Sequence, residues 1–487
     1  MRKSTVDLSK SAARLSVEEI AAAYRDGSLT PTQVVEDCLA IIADVDLKIR
    51  AWQEVYADDA REAAAACTEA LEKCIANGGD AAAIQSPLYG VPVALKDVID
   101  VEGKVTTAGS AARLSEVATG TAILVQNIQR LGGIILGKVK TTEFAGSAYG
   151  INSHPECISP INPYSADVPL ICGGSSNGSG AALAARMVPL AVGSDTGGSI
   201  RRPAAFCGVV GLKTTKGMIS TEGLVPLSHS FDTAGPLART CYDCALLCSA
   251  MMDPDDRVVF EKAVYPAMKD GIIRGLRFAC IGEKCRKLVT DAKQLAAFDA
   301  SLDVLRKLGA TIVEKDLDLA APWAGGASGF SPQQSAEMYY HLCKYVDDPS
   351  ARVADEVRAS FLRGKDVTLF EYFEIQKGLP AAIKTWLEMM ADCDAWLSPT
   401  TQMLAIPFDD AKTEAAMTAI MVQGFTRWVN YLGLCALSVP TGPVVGTDGL
   451  PTSLQIVCKP HQEVMAFRIG SAYEKARGEL ALPPLFT

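Results

Sequence analysis

The sequence has no surplus of positive charge: 46 Lys plus Arg against 56 Asp plus Glu leave a net charge of −10 over 487 residues. Such a balance argues against a chain that binds nucleic acid by broad phosphate neutralisation. Long apolar runs are missing too. The most apolar stretch, residues 415–440, is interrupted by Gln423, Arg427 and Asn430, short of the ~18 uninterrupted apolar residues of a membrane span. Arg2 and Lys3 open the chain with no apolar segment behind them, so no signal peptide is read and a soluble, cytoplasmic setting is expected. Histidine is scarce. His154, His229, His341 and His461 are all distant in sequence from Cys241, Cys244 and Cys248, which could share one helix face. A zinc site would need a fourth soft ligand, so no metal is expected. The 15 cysteines read as small buried hydrophobes of a reducing compartment.

What is present is core material. Apolar residues make up 49% of the chain, which excludes a disordered polypeptide. The first ~80 residues read as helices, with capping-box patterns at Ser16–Glu19 and Thr30–Gln33 and a proline at the first helical position, Pro31. Val34, Val35, Cys38, Leu39, Ile41, Ile42 and Val45 form one apolar stripe, and residues 58–76 read as a third helix. From residue 88 onward short apolar strands alternate with helices. Strands end at Lys96 and near Gly193, and a helix stops at Gly132 and Gly133. That alternation implies βαβ units in an α/β fold with a largely parallel sheet. Residues 250–430 are richer in charge and helical pattern, and the tail returns to strand-like pieces around 434–457. With no fixed-period repeat and no low-complexity linker, one continuous domain over 1–487 is expected, its core at 81–245.

The segment richest in chemistry runs from Gly173 to Pro203, two Gly/Ser clusters bracketing a helix and a strand. Asp195-Thr196-Gly197-Gly198-Ser199 follows the strand directly, where ligands gather in open α/β sheets. Its glycines allow a sharp turn, so the amides of Thr196, Gly197, Gly198 and Ser199 are expected to converge on an anion such as a tetrahedral oxyanion. A phosphate loop is excluded because Ser179, not lysine, follows Gly178, and the dinucleotide fingerprint fails for want of a third glycine in place. Ser176 formally sits in a G-x-S-x-G pattern, which would need a downstream histidine such as His461. With so few histidines, lysine is the credible base for a serine. Lys96 ends an apolar strand, and a lowering of about 3 pKa units would leave it half neutral at pH 7.

GGSSNGS and VGSDTGGSIRRPAAFCGVVGLK, with VPVALKD upstream and SVPTG and GLPTSLQIV downstream, resemble the amidase signature family over residues 88–240 and, more loosely, 394–457. The resemblance implies a large twisted, mixed and mostly parallel β-sheet flanked by helices on both faces, with a helical N-terminal segment. It implies Ser199 as nucleophile, Ser175 as a bridging serine held through a cis peptide bond, and Lys96 as terminal base. A Ser-cisSer-Lys relay then hydrolyses a small amide, aryl, carbamate or urea-type substrate through an acyl-enzyme. Ser176, Asp195 and Arg201 are implied as supports of the loops. No cofactor is called for. Asn177 stands where glycine is commoner in the family, tolerable in a left-handed conformation.

For the substrate, Glu143 to Asn152 and the 250–430 region are expected to line the pocket. Phe144, Tyr149, Trp323, Tyr339 and Trp428 are candidates for an apolar wall. Arg202, just past Ser199, is a candidate for holding a substrate carboxylate, as in some relatives. The expected partners are the amide and water, with no nucleic acid and no membrane; homodimers are common in the family, which makes a second copy a candidate. Two alternatives stay open: an ammonia-generating amidotransferase subunit that works with partners on charged tRNA, and a Ser-His hydrolase using Ser176.

Overall fold

The chain enters its first helices where side chains can satisfy open amides. Ser16 accepts from the Glu19 amide while Glu19 accepts from the Ser16 amide, heading α1 (Val17–Asp26). Thr30 and Gln33 repeat the exchange at α2 (Pro31–Ile49), whose apolar stripe from Val34 to Val45 is buried. α3 spans Ala57–Ala76. These elements belong to a computed structural model that describes residues 11–76, 86–152, 154, 156–165, 167–317, 330–413, 424–442 and 449–486.

Eleven strands follow one another as β1 (Trp52–Val55), β2 (Pro92–Lys96), β3 (Ile134–Val139), β4 (Leu190–Asp195), β5 (Val210–Lys213), β6 (Thr233–Ala238), β7 (Arg277–Cys280), β8 (Thr311–Glu314), β9 (Ala395–Pro399), β10 (Cys435–Pro440) and β11 (Ser453–Cys458). They form one mixed sheet in the order β1-β3-β2-β4-β6-β5-β10-β11-β9-β7-β8. β2 and β4 are buried on both faces. Val93, Leu95, Leu190 and Val192 enter one apolar layer with α4 (Ile123–Arg130) and α7 (Cys241–Met251). Ala94 and Ala191 enter the other, with α2 and α5 (Asn177–Ala184). Helices therefore cover both faces, as a strand with continuous apolar sequence requires. Cys241, Cys244 and Cys248 fill the first layer as apolar side chains.

Three expectations need correcting in detail. Parallel pairing does not predominate: it is confined to β3-β2-β4 and β9-β7-β8, while the other six of ten pairings are antiparallel. Parallel neighbours need a long crossover, whereas β10 and β11 double back on each other as a hairpin. The helix-rich region 250–430 also supplies β7, β8 and β9, whose runs of four or five residues are too short to show a strand period. Asn177 lies in the first turn of α5, not in a left-handed position, with its amide donating to the Gly150 carbonyl at 2.7 Å. No helix among the described residues is long and apolar enough to cross a membrane; residues 415–423 lie outside them.

Candidate active site

Two parallel neighbours, β2 and β4, end side by side, and each hands its last residues to the site. β2 delivers Lys96. β4 delivers Ser194 and Asp195, and the loop after it carries Thr196 to Ser199 into α6 (Arg201–Phe206). The third contribution is the Gly173–Ser176 segment ahead of α5. Its Gly174–Ser175 peptide bond is cis, and the Ser175 carbonyl accepts from the Thr142 amide at 3.3 Å and the Thr141 hydroxyl at 3.1 Å. Gly174 lies so close to the Ser147 carbonyl that any Cβ would collide with it.

Lys96 is fully buried, and its Nζ donates to Ser175 Oγ at 2.7 Å and to Ser194 Oγ at 2.8 Å. It makes no pair with its neighbour Asp97, which faces Lys138 at 3.7 Å. Burial pulls the Lys96 ammonium down to about 7, against the opposing fields of Asp195 and Asp232. A lysine in this environment is half neutral near physiological pH. Ser199 is 7% exposed and lines a small cleft. Its carbonyl accepts from the Ser176 amide at 3.1 Å, which sets it beside the cis segment. Among the described residues no hydrogen bond joins the Ser175 and Ser199 hydroxyls.

Asp195 organises the turn between them. Its carboxylate accepts the amides of Gly198 at 2.7 Å and Ile200 at 3.1 Å, and takes Arg201 in a two-pronged pair at 3.0 Å for each contact. Burial alone would raise its pKa, but the Arg201 guanidinium holds the carboxyl well below the usual carboxylate range. Asn430 adds two donations to Asp195 at 2.9 Å and accepts from Arg201 at 2.7 Å. One expected oxyanion donor is therefore spent: the Gly198 N–H belongs to Asp195. The amides of Thr196, Gly197 and Ser199 donate to no acceptor among the described residues. Gly198 has φ 124°, and a Cβ there would strike Thr426.

The cleft wall departs from the apolar one expected. The 143–152 segment does contribute, through Ala145, Gly146, Ser147 and Ala148. The Phe144 side chain instead packs on Tyr345, with ring centroids 5.3 Å apart, and Trp428 packs on Trp396 at 5.0 Å; both rings had to be buried and found core partners. Tyr339 donates to Asp347, Tyr149 belongs to a small apolar cluster beside the cleft, and Trp323 lies outside the described residues. Leu227, Phe330, Gln334, Arg202 and Arg427 complete the lining. Arg202 donates to the Gly197 carbonyl at 2.5 Å, and Arg427 lies over the Phe330 ring at 4.7 Å. Burial, aided by the Arg427 and Arg201 guanidiniums, lowers Arg202 to about 9, and burial lowers Arg427 to about 10 against the opposing fields of Tyr431 and Tyr149.

Ser176 and His461 are not brought together. Ser176 Oγ donates to the Ser194 carbonyl at 3.3 Å, while His461 is exposed with its amide on Thr215. Ser194, Asp232, Gln334, Arg427 and Asn430 are residues that sequence reasoning passed over. For two of them a signal existed: Arg427 and Asn430, the interruptions of the apolar stretch, stand three apart on one helical turn and so share a face.

The chain as a whole has relatives among known proteins. The family model described as Amidase matches residues 33–467. A glutamyl-tRNA(Gln) amidotransferase subunit from Streptomyces avermitilis is 33% identical over 503 residues, covering 95% of each chain. Among solved structures, a chain from a vestigial protein complex bearing on the origins of an s-triazine catabolic enzyme superposes with a TM-score of 0.84 at 29% identity, covering 96% of this chain and 100% of that one. The peptide amidase of Stenotrophomonas maltophilia superposes with a TM-score of 0.79 at 25% identity, over 98% and 99% of the two chains.

Proposed function

The chain belongs to the amidase family, and from that premise we propose that it hydrolyses the C–N bond of a small amide through an acyl-enzyme on Ser199. Neutral Lys96 accepts the Ser175 hydroxyl proton, and Ser175 takes the proton of Ser199 as Ser199 Oγ attacks the amide carbon. The oxyanion that forms is met by the Thr196, Gly197 and Ser199 amides. As the intermediate collapses, the proton held on Lys96 returns through Ser175 to the leaving nitrogen, and the amine departs. Water then attacks the ester, giving up its proton along the same path, and the acid is released with Ser199 restored. The Ser175–Ser199 hydrogen bond that this needs is one that substrate must draw together, as catalytic contacts commonly tighten on binding. The observation carrying the reading is the buried Lys96 amine 2.7 Å from Ser175 Oγ, beside Ser199 in the cleft lining.

A panel of small amides, esters and carbamates offered to the purified chain tests this. Turnover of at least one amide is expected, with no other protein added. Failure on every amide, relieved by adding partner subunits, would instead support a second reading, an ammonia-supplying amidotransferase subunit. The Streptomyces relative's name favours that second reading.

The small residues and two guanidiniums of the wall suit a compact acyl group that carries an acid. Arg202 also braces the Gly197 carbonyl, so its removal separates two roles. Arg202→Ala is expected to raise KM for acidic amides about tenfold or more, as loss of a charged hydrogen bond does, with neutral amides little changed. An equal loss on neutral amides would reduce Arg202 to a brace.

A further inference from the structure

Glu337 lies in the helix Pro332–Val346, outside the motif-bearing segments 88–240 and 394–457, and is 2% exposed. Its carboxylate collects five donors. Oε2 accepts from Ser228 Oγ at 2.6 Å and the Ser230 amide at 3.0 Å; Oε1 accepts from Ser230 Oγ at 2.6 Å, Gln333 at 3.0 Å and Tyr372 at 3.1 Å. No lysine or arginine ion-pairs with it among the described residues. Such a set of hydrogen bonds is strong and directional, and it ties the 227–232 loop to the helix. The loop's far end is tied by a second buried carboxylate. Asp232 accepts the Leu227 and Ser228 amides at 2.9 and 3.0 Å and the hydroxyl of Thr196. Leu227 and Thr196 both line the cleft. The same helix reaches the site directly, through Gln334 Nε2 on the Thr196 carbonyl at 3.4 Å. His229 and His341 meet across the same seam at 3.0 Å.

We propose that Glu337 is a positioning residue: through Ser228, Ser230 and Asp232 it fixes Thr196, and with it the amides that receive the oxyanion. This rests on Ser199 as the nucleophile. An amide that meets charge only in the transition state affects kcat, whereas a wall that merely holds substrate affects KM. Gln fits where Glu337 stands. Its oxygen keeps the Ser228 hydroxyl and the Ser230 amide, and the two hydrogens of its nitrogen reach the Ser230 and Tyr372 hydroxyls, so the Gln333 contact is the one given up.

The test is kcat and KM of Glu337→Ala, Glu337→Gln and Ser230→Ala on an amide that the unaltered enzyme turns over, with Tm measured in parallel. Glu337→Ala is expected to lower kcat about 10–100-fold with KM within threefold, on the scale of a displaced oxyanion donor. Glu337→Gln should recover to within about threefold, and Ser230→Ala should lose about threefold in kcat alone. Should Glu337→Ala not fold, Ser230→Ala and Glu337→Gln carry the test. A change in KM with kcat intact, or unaltered kcat in both Ser230→Ala and Glu337→Ala, overturns the assignment. Ser199→Ala run alongside separates the two layers: if it stays active, the nucleophile assignment has failed, and not the positioning one.

Discussion

Ser199→Ala is expected to abolish amide hydrolysis, lowering kcat by about 10⁴-fold or more, the scale seen when a nucleophile that works as part of a unit is removed. The protein should remain folded. No hydrogen bond of the Ser199 hydroxyl is seen among the described residues, and the contact that places the residue, from the Ser176 amide to its carbonyl, does not involve the side chain. Unchanged melting with lost turnover is therefore the expected pair of results. With a slow ester substrate the unaltered enzyme should also accumulate a mass increment equal to the acyl group on the peptide that bears Ser199. An increment on Ser176 or Ser175 would move the nucleophile.

The next largest effect belongs to Lys96→Met. Removal of the base is expected to lower kcat by about 10³-fold, and to raise stability at the same time. The sign follows from linkage. Folding brings the Lys96 amine down to about 7, so between roughly pH 7 and the ordinary lysine value the unfolded chain binds the extra proton. Lys96's contribution to stability thus improves as pH rises through that window, and below it the full cost of burying an ammonium is present. That cost is on the order of 4 kcal/mol, partly offset by the two hydrogen bonds to Ser175 and Ser194. Met should therefore be more stable than Lys at pH 6, by about 1–2 kcal/mol, with the gap closing as pH approaches 10. A lower melting temperature for Lys96→Met at pH 6 would mean that the amine is stabilised where it lies.

How far the sequence discloses this site depends on whether a residue's role is local. The capping pairs Ser16–Glu19 and Thr30–Gln33 are legible because both partners stand three residues apart. Ser175 and Ser199 stand out in motifs that carry their own glycines, Lys96 at the end of an apolar strand, and Asp195 and Arg201 lie in the same loop as Ser199. Ser194 is harder: its hydroxyl matters only because β2 and β4 end together, a pairing across 98 residues. Glu337 meets the loop it holds across 109 residues, and nothing near it marks it out. Phe144 and Trp428 fail in the opposite direction. Large aromatic rings signal burial before they signal recognition, and here each finds aromatic partners in the core, leaving the cleft to small residues, Leu227, Phe330, Gln334 and two arginines. The spent Gly198 amide could not be read either, since a run of glycines shows that a loop can turn but not which of its amides a side chain will claim.

The most direct test is the pH dependence of kcat/KM on a neutral amide, from pH 5 to 10, for the unaltered enzyme and for Lys96→Met. With Lys96 neutral as the working form, kcat/KM should climb about tenfold per pH unit below 7, bend near the value of about 7 assigned to the buried amine, and run level above it. The residual activity of Lys96→Met should show no such limb. A profile that is level through pH 7, or a limb that survives in Lys96→Met, would contradict a lysine base feeding Ser199 through Ser175.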